Sequence, residues 1–430
     1  MTNRLTCSSP TLLTSIFPLP RGHKQFASFS RIENSLSCCL TFLYIYIVFV
    51  IYIVIPFICR SKEKVQVKKM DMDLSPKFPA TFVETEDGGY YNWAAADSPV
   101  LREAKVAAGK LVLKPRGFAL PHYADCSKVG YVLEGKCGVG LTTPASNTKE
   151  KMAFIGIKKG DIIPIPCASV SWWYNYGDSD VVIVFLADAT NAYVAGEITY
   201  FLLTGPLGHL HAFSLESIAK TYQITLQNAQ KLTSNQKGLL LIKLNQEQAK
   251  TIPKPNEELL NIYTQNINGS LPDVEVHNGG NFTTLKPSKF PFLEQVGLNV
   301  SRLVLETNAT RAPWYASDPQ VVYVVKGSGE VQIVGLQGKL VLNTKVETGQ
   351  LFVVPKLFMV AISAEENGLE LISIVTSTRA MMGEMGSKNS VLNTIPSILQ
   401  VSLNVSSELN QQFIEMMETG TIVVPPMNLY

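Results

Sequence analysis

The stretch from Lys158 to Asp188, KKGDIIPIPCASVSWWYNYGDSDVVIVFLAD, decides the expected fold of this chain. Its apolar runs predict short strands over 162–166, 172–176 and 181–186. Glycine, proline and aspartate stand at the corners between these runs. Short strands with such residues at their ends are typical of small β-barrels and sandwiches. We therefore expect a mainly β fold around this stretch.

The same pattern returns later in the chain, where residues 346–375 read VETGQLFVVPKLFMVAISAEENGLELISIV. Matching residues stand at constant offsets. One offset relates Gly160 to Gly349 and Pro166 to Pro355, and a slightly longer one relates Pro121 to Pro313, Tyr131 to Tyr323 and Gly135 to Gly327. A period of roughly 190 residues suits a whole domain and is too long for a solenoid repeat. The sequence thus predicts one barrel used twice.

The first copy carries motifs that resemble a known family. The tetrapeptide PHYA at 121–124 is followed by YVLEGKCGVGL at 131–141 and then by the stretch quoted above. Together they resemble a cupin barrel, and most closely the legumin-type seed globulins, or glutelins, over Asp73 to about Pro425. The resemblance implies two tandem jelly-roll barrels, each followed by a short helical arm. It also implies a non-enzymatic nutrient reservoir that assembles through its arms into a homotrimer, or further into a hexamer.

The chain is expected to divide into four parts: an N-terminal segment, 1–71, a first cupin domain with its arm, 73–250, a linker, 251–280, and a second cupin domain with its arm, 281–430. The hydrophobic content of 46% provides enough apolar material for two packed cores. Residues that favour helix starts precede apolar residues at helical spacing in both arms: Ser214, Thr225, Pro396 and Ser406.

The N-terminal segment contains an uncharged apolar run from Leu40 to Cys59. Its length suffices for a transmembrane helix, and the lysines that follow would leave the barrels in the cytosol. Two other interpretations stay open: residues 1–32, which lack acidic residues, are a targeting peptide, or translation starts at Met70 or Met72. Three cysteines in the globular part, an odd number, favour a reducing compartment over vacuolar storage. We therefore expect a cytoplasmic protein, with membrane contact only through 40–59.

Metal-dependent cupins bind their ion through three histidines and a glutamate. In barrel one, His122 stands at the first histidine, whereas the other ligand positions hold Ala124, Lys128 and Ser171. In barrel two we assign Pro313 and Val360 to the first and last histidines. Because one ligand of eight remains, we expect no metal, no cofactor and no catalytic residue. His122, Ser171 and Asn175 remain as candidate ligand contacts at the mouth of barrel one.

Other signals in the sequence are weaker. A net charge of +2, without a basic patch, gives no case for a nucleic-acid partner. The pair His209 and His211 has no carboxylate or cysteine nearby, and the aromatics 172–174 are read as core residues rather than a sugar platform. In the legumin-type family the precursor is cut after an asparagine at the start of barrel two. Asn278 and Gly279 stand at that place, as a candidate processing site or a plain turn.

Two other function classes compete with storage. One is a cytosolic bicupin that binds a small ligand or regulates another protein. The other is a metal-dependent cupin enzyme, which the replaced ligands disfavour. Storage of nitrogen favours arginine, yet only five arginines follow Met72. The fold is therefore predicted more firmly than the storage role.

Overall fold

The structure is a computed structural model that describes residues 72–142 and 152–427. Strands predominate in these residues, and both barrels lie in one compact unit of the chain. All pairs between the named strands are antiparallel, as hairpin-connected jelly rolls require. The predicted mainly β fold with two tandem barrels and two helical arms is confirmed.

Barrel one consists of two sheets. One has the strand order β1-β2-β3-β10-β5-β8-β13, and the other has the order β11-β4-β9-β6-β7, with β12 beside β4. The strands are β1 (Ala80–Thr85), β2 (Gly88–Asn92), β3 (Val106–Leu113), β4 (Gly117–Ala124), β5 (Ser127–Glu134), β6 (Lys136–Thr142), β7 (Ala153–Lys158), β8 (Asp161–Ile165), β9 (Val170–Tyr174), β10 (Val181–Asp188), β11 (Tyr200–Leu202), β12 (Leu241–Lys243) and β13 (Gln265–Asn266).

The interior of barrel one is filled from both sheets. Leu113 and Ile183 come from the first sheet, and Val139, Ile155 and Trp173 come from the second. Each of these side chains is fully or almost fully buried, because alternate residues of a strand point to the same face of the sheet. The strands that the sequence predicts over 162–166, 172–176 and 181–186 correspond to β8, β9 and β10, with ends shifted by up to two positions.

Barrel two forms one continuous sheet in place of two, because two of its strands are long enough to serve both faces. β18 spans fifteen residues and β21 spans seventeen, and they pair with each other along most of their length. The strands are β14 (Val274–Val276), β15 (Gly280–Leu285), β16 (Asn299–Leu305), β17 (Thr310–Ala316), β18 (Gln320–Val334), β19 (Leu340–Glu347), β20 (Leu351–Val354), β21 (Met359–Val375), β22 (Met382–Glu384) and β23 (Val423–Val424).

The helices lie mainly in the two arms and the linker. They are α1 (Pro99–Ala104), α2 (His209–Ala212), α3 (Leu215–Tyr222), α4 (Leu226–Ser234), α5 (Gln246–Thr251), α6 (Leu260–Tyr263), α7 (Pro396–Leu403) and α8 (Ser407–Thr419). Short 3-10 turns cover Glu257–Leu259, Pro291–Gln295, Leu336–Gly338 and Val391–Thr394. The predicted helix starts are confirmed. The side chains of Ser214, Thr225 and Ser406 accept backbone hydrogen bonds at their caps, and Pro396 opens α7.

The repeat is visible in backbone conformation as well as in sequence. Gly160 and Gly349 both have a positive φ, 89° and 95°, and their amides donate to the carbonyl oxygens of Val132 on β5 and Val324 on β18. Ala168 and Leu357 match at the same offset as these glycines, with φ values of 62° and 66°. Glycine is the residue that tolerates this left-handed region without strain. Both turns therefore hold a residue with a side chain in a conformation that suits glycine.

The barrels contact each other through exchanged edge segments. Lys77, ahead of barrel one, pairs with Leu351 on β20 of barrel two. In return, the linker strand β13 pairs with β8 of barrel one, where Gln265 lies opposite Ile162. Trp93 adds an edge-to-face contact with Tyr323 at 5.9 Å between ring centroids. Each barrel thus has an edge covered by the segment that precedes the other barrel.

The predicted membrane-spanning helix over 40–59 needs correction. No helix within 72–142 or 152–427 is long and apolar enough to cross a bilayer, and 40–59 itself lies outside these ranges. The structural findings thus give no support for a membrane anchor.

Candidate functional site

The interior of barrel one contains a small cavity at the position where metal-dependent cupins hold their ion. Its volume is about 10 Å³, which is room for roughly one water molecule. The lining is aromatic and aliphatic except for two basic side chains. The residues around it are Tyr90, Leu111, Ala119, His122, Lys128, Trp173, Phe185, Tyr200, Leu240 and Leu241.

His122 projects from β4 and is 7% exposed. Its Nδ1–H donates to the carbonyl oxygen of Leu120 at 2.7 Å, which leaves Nε2 as an acceptor. Burial lowers the pKa of the imidazole to about 4, and the positive charge of Lys128 acts in the same direction. The ring is therefore neutral at physiological pH. It lies edge-to-face with Tyr200, at 5.2 Å between centroids.

Lys128 is the second basic residue and is 2% exposed. It lies on β5, between β8 and β10, where it is paired with Ile165 and Ala187. Its ammonium nitrogen stands 4.4 Å from the ring centroid of Tyr200 and 5.4 Å from that of Phe185, both cation–π distances. Burial lowers the pKa of this amine to about 8. Sequence reasoning placed Lys128 near the missing glutamate but missed that it is a buried cation.

Ser171 and Asn175 do not join His122 at this cavity. Ser171 is buried opposite His122 in the β4–β9 pair, yet it does not line the cavity. Asn175 is fully buried in the turn after β9. Its side-chain amide donates to the carbonyl oxygens of Leu113 and Ser179, both at 2.8 Å, and is therefore not free to contact a ligand. The three candidate contacts are therefore separated, and His122 is the one among them that faces the cavity.

Barrel two has an equivalent cavity of about 20 Å³ with a different cation. Arg311 from β17 is 1% exposed and donates to Glu384 Oε1 at 2.7 Å. Its guanidinium carbon lies 4.6 Å from the ring centroid of Trp314. Trp314 Nε1 in turn donates to Gln320 Oε1 at 2.9 Å. The polar groups in this interior are therefore the Arg311–Glu384 ion pair and the amide of Gln320, and the indole of Trp314 packs against them.

The assignment of Pro313 to the first histidine position of barrel two is wrong. His122 pairs with Ser171, and the matching pair in barrel two is Trp314 with Val360. Trp314 therefore occupies the place of His122. A shift in strand register precedes His122 on β4 and Trp314 on β17. This shared irregularity agrees with the offset that relates Pro121 to Pro313, because the same offset relates His122 to Trp314.

Neither cavity offers a set of metal ligands. Within residues 72–142 and 152–427, no group of three or more histidine, cysteine, aspartate or glutamate side chains is close enough to hold an ion. In barrel one the positive charge of Lys128 disfavours a cation next to the single neutral imidazole of His122. The geometry instead suits packing and, in barrel one, the solvation of a buried positive charge.

The other sequence signals are structural. His209 and His211 lie on the short helix α2 rather than on a strand. His209 Nε2 meets the hydroxyl of Tyr123 at 3.0 Å, and His211 Nδ1 meets the carbonyl oxygen of Thr233 at 3.1 Å. Trp173 and Tyr174 are buried in barrel one, while the half-buried Trp172 stacks on Phe154 at 4.8 Å.

Asn278 lies in the turn of the β14–β15 hairpin. Its side chain is exposed and its φ is 57°, in the left-handed region that asparagine tolerates. The amide of Gly279 donates to the carbonyl oxygen of Val276 at 2.9 Å and closes the turn. Within the candidate processing site, Asn278 is therefore accessible, whereas Gly279 is buried in the hydrogen-bonded hairpin.

Comparison with known proteins agrees with the double barrel. The family model described as cupin matches residues 76–230 and again 266–411. The chain belongs to the cupin family. Among curated relatives of this cupin, the 12S seed storage protein CRD of Arabidopsis thaliana is 28% identical over 388 residues, covering 77% of this chain and 85% of the relative. Cocosin 1 of Cocos nucifera is 25% identical over 387 residues, covering 77% and 83%.

Solved structures give the same fold. The coconut allergen cocosin superposes with a TM-score of 0.74 at 24% identity, covering 82% of this cupin and 99% of that chain. Procruciferin, an 11S globulin from Brassica napus, gives a TM-score of 0.74 at 23% identity, covering 84% and 98%. The chain thus shares the bicupin fold of these globulins.

The relatives also correct the expected location. The matched proteins are seed storage globulins, a class stored in vacuoles. The expectation of a cytoplasmic protein, with or without an anchor at 40–59, is therefore wrong. The odd number of cysteines that suggested it is a poor guide here, because Cys126 and Cys137 are buried in barrel one, where they pack as small apolar side chains.

Proposed function

We propose that this bicupin is a non-enzymatic nutrient reservoir of the seed storage type. The observation that carries the proposal is the replacement of the ion-binding positions in both barrels, with His122 as the one retained ligand. Lys128 stands in one interior and the Arg311–Glu384 pair in the other. The similarity to 12S and 11S storage globulins supports the same conclusion.

Metal analysis of the purified chain tests the non-enzymatic part. We expect iron, manganese, zinc and copper far below one equivalent per chain, both as purified and after incubation with each metal followed by desalting. One equivalent of a transition metal that survives desalting would contradict the proposal. Loss of that metal in a His122→Ala variant would locate it in barrel one.

We further propose that the chain assembles into a trimer, with a hexamer as the next step, through its helical arms. In the second arm, Leu399 and Met417 face inward and are buried, while Val401 and Met416 on the other side are 80% and 69% exposed. The first arm exposes Tyr222, Leu226 and Leu232 in the same way. Apolar helix faces of this kind are stabilised by burial against another subunit.

The division of the chain and its processing belong to the same proposal. The matched ranges 76–230 and 266–411 support cupin domains at 73–250 and 281–430, joined by the linker 251–280. The exposed side chain of Asn278 supports a processing site between the halves, although Gly279 after it is buried. Because barrel two has no cysteine, a cut chain would be held together by the pairing of Lys77 with Leu351 and of β14 with β15 across the cut, rather than by a disulfide.

A further inference from the structure

We propose that the cavity of barrel one binds a small, singly charged anion against the ammonium group of Lys128. The side chain of Lys128 is 2% exposed and lines the cavity. Among the residues that the structure describes, its nitrogen donates no hydrogen bond and forms no salt bridge. A buried charge without a partner is unfavourable, and an anion in the cavity would remove that penalty.

The acidic group whose charge acts on Lys128 is already engaged elsewhere. Asp125 Oδ2 accepts from the backbone amide of Tyr193 at 2.7 Å. Its Oδ1 accepts from the amide of Thr199 at 3.0 Å and from the thiol of Cys126 at 3.2 Å. These bonds orient the carboxylate toward the loop that follows β10. It therefore attracts Lys128 from a distance without being its hydrogen-bond partner.

The remaining titratable groups around the cavity carry no negative charge at neutral pH. His122 is neutral, with Nδ1–H committed to Leu120. The hydroxyl groups of Tyr90 and Tyr200 contact each other, and burial raises the pKa of both phenols. The thiols of Cys126 and Cys167 also have raised pKa values, mainly through burial. The negative charge that Lys128 needs must therefore come from outside the chain.

Barrel two shows the alternative solution to the same problem. Its cation, Arg311, has a built-in counter-charge in Glu384 at 2.7 Å. The position of Lys128 is occupied there by the neutral Gln320, at the same offset that relates Tyr131 to Tyr323. Leu202, at the place of Glu384 in barrel one, is apolar. One barrel thus contains its own anion as a side chain, whereas the other lacks it.

The size and lining of the cavity restrict the anion. A volume of about 10 Å³ fits a single water-sized particle, which excludes sulfate, phosphate and larger organic acids without rearrangement. The aromatic walls offer few hydrogen-bond donors besides Lys128, which favours an ion that loses its hydration shell easily. Chloride and bromide meet both conditions.

Bromide titration of thermal unfolding tests this inference on the full chain. Sodium bromide replaces sodium gluconate at constant ionic strength, because gluconate is too large for the cavity. We expect a saturable rise in the unfolding midpoint, about 2–4 °C at ten times the dissociation constant. The variants Lys128→Met and Lys128→Gln should lose the saturable part, the second carrying the residue that barrel two has at this position. Lys114→Met, which removes an exposed lysine at the end of β3, should keep it.

Two results would overturn the inference: a midpoint without saturable dependence on bromide, or the same dependence in the Lys128 variants as in the parent chain. If neither variant folds, anomalous diffraction from crystals of the parent chain in bromide decides. We expect a peak in contact with Lys128 Nζ. Peaks confined to the surface, meaning an adventitious ion only, would refute the site. The storage proposal does not depend on this outcome.

Discussion

Lys128 and Gln320 occupy the same place in the two barrels. Lys128 lies opposite Ile165 and Ala187, and Gln320 lies opposite Val354 and Val375, at the matching points of the two sheets. Gln320 accepts a hydrogen bond from the neighbouring indole, whereas Lys128 has only aromatic faces near its ammonium group. At this point one interior is neutral and the other carries a charge.

The first prediction concerns the pH dependence that Lys128 gives to stability. The folded chain releases this proton near pH 8, whereas the unfolded chain holds it to about pH 10.5. Between these values the unfolded state binds more protons, so stability rises with pH. Below pH 8 the charged amine costs about 3 kcal/mol, by the size of this shift.

Lys128→Met should therefore raise the free energy of unfolding at pH 7 by about 1–3 kcal/mol, with a gain that shrinks toward pH 10. Urea unfolding of both chains in a low-halide buffer at pH 6, 7, 8, 9 and 10 measures this gain in the free energy of unfolding. The exposed Lys114→Met is the matched control and should show no such trend. A gain that stays constant from pH 6 to pH 10 would refute the buried charge.

The second prediction concerns the two strained turns. Ala168 and Leu357 adopt φ values of 62° and 66°, and both are exposed. Replacing either with glycine should stabilise the chain by about 0.5–1 kcal/mol, because relief of left-handed strain exceeds the added entropy of the unfolded chain. Thermal unfolding of each variant measures the effect. Ala187→Gly, near the end of β10, should destabilise instead. A loss of stability at both turns would show that the turns are not strained.

The third prediction concerns the buried ion pair of barrel two. Glu384→Gln leaves the guanidinium of Arg311, which is 1% exposed, without its counter-charge. The free energy of unfolding should fall by about 3 kcal/mol, as for other broken buried pairs. Denaturant unfolding measures the loss. The surface pair of Lys345 and Glu365 supplies the control, since Glu365→Gln should leave the midpoint unchanged. Equal effects of the two substitutions would contradict this account of the interior.

The fourth prediction concerns assembly through the second arm. Val401→Lys and Met416→Lys place charges on the exposed face of α7 and α8. Light scattering after size-exclusion chromatography should show a trimer for the parent chain and monomers for the double variant, with unchanged circular dichroism. Leu271→Lys, at an equally exposed leucine of the linker, should remain a trimer. A trimer that survives the double variant would place the interface elsewhere.

Local chemistry made much of this structure predictable. The caps at Ser214, Thr225 and Ser406 depend on residues three positions apart, and the repeat of Gly160 at Gly349 reveals the second barrel without any knowledge of contacts. The burial of the Lys128 side chain was not predictable from local sequence in this way. Its burial follows from the pairing of β5 with β8 and β10, which brings together residues that are far apart in the sequence.

Two further errors have identifiable causes. Asn175 matches a family position by spacing, but its amide closes the turn between β9 and β10 and so faces away from the cavity. The assignment of Pro313 overlooked the repeat itself, because the offset that relates Pro121 to Pro313 also relates His122 to Trp314, in agreement with the strand pairing.

The abundance of the polypeptide through seed development and germination tests the storage role most directly. The measurement is quantitative mass spectrometry of peptides from both barrels. Equal amounts of total protein are compared from developing seed, mature seed, germinating seed and leaf, with an abundant metabolic enzyme as the reference. We expect accumulation during seed filling, a maximum in mature seed and degradation within the days of germination. A similar low abundance in leaf and seed, without loss on germination, would contradict the account.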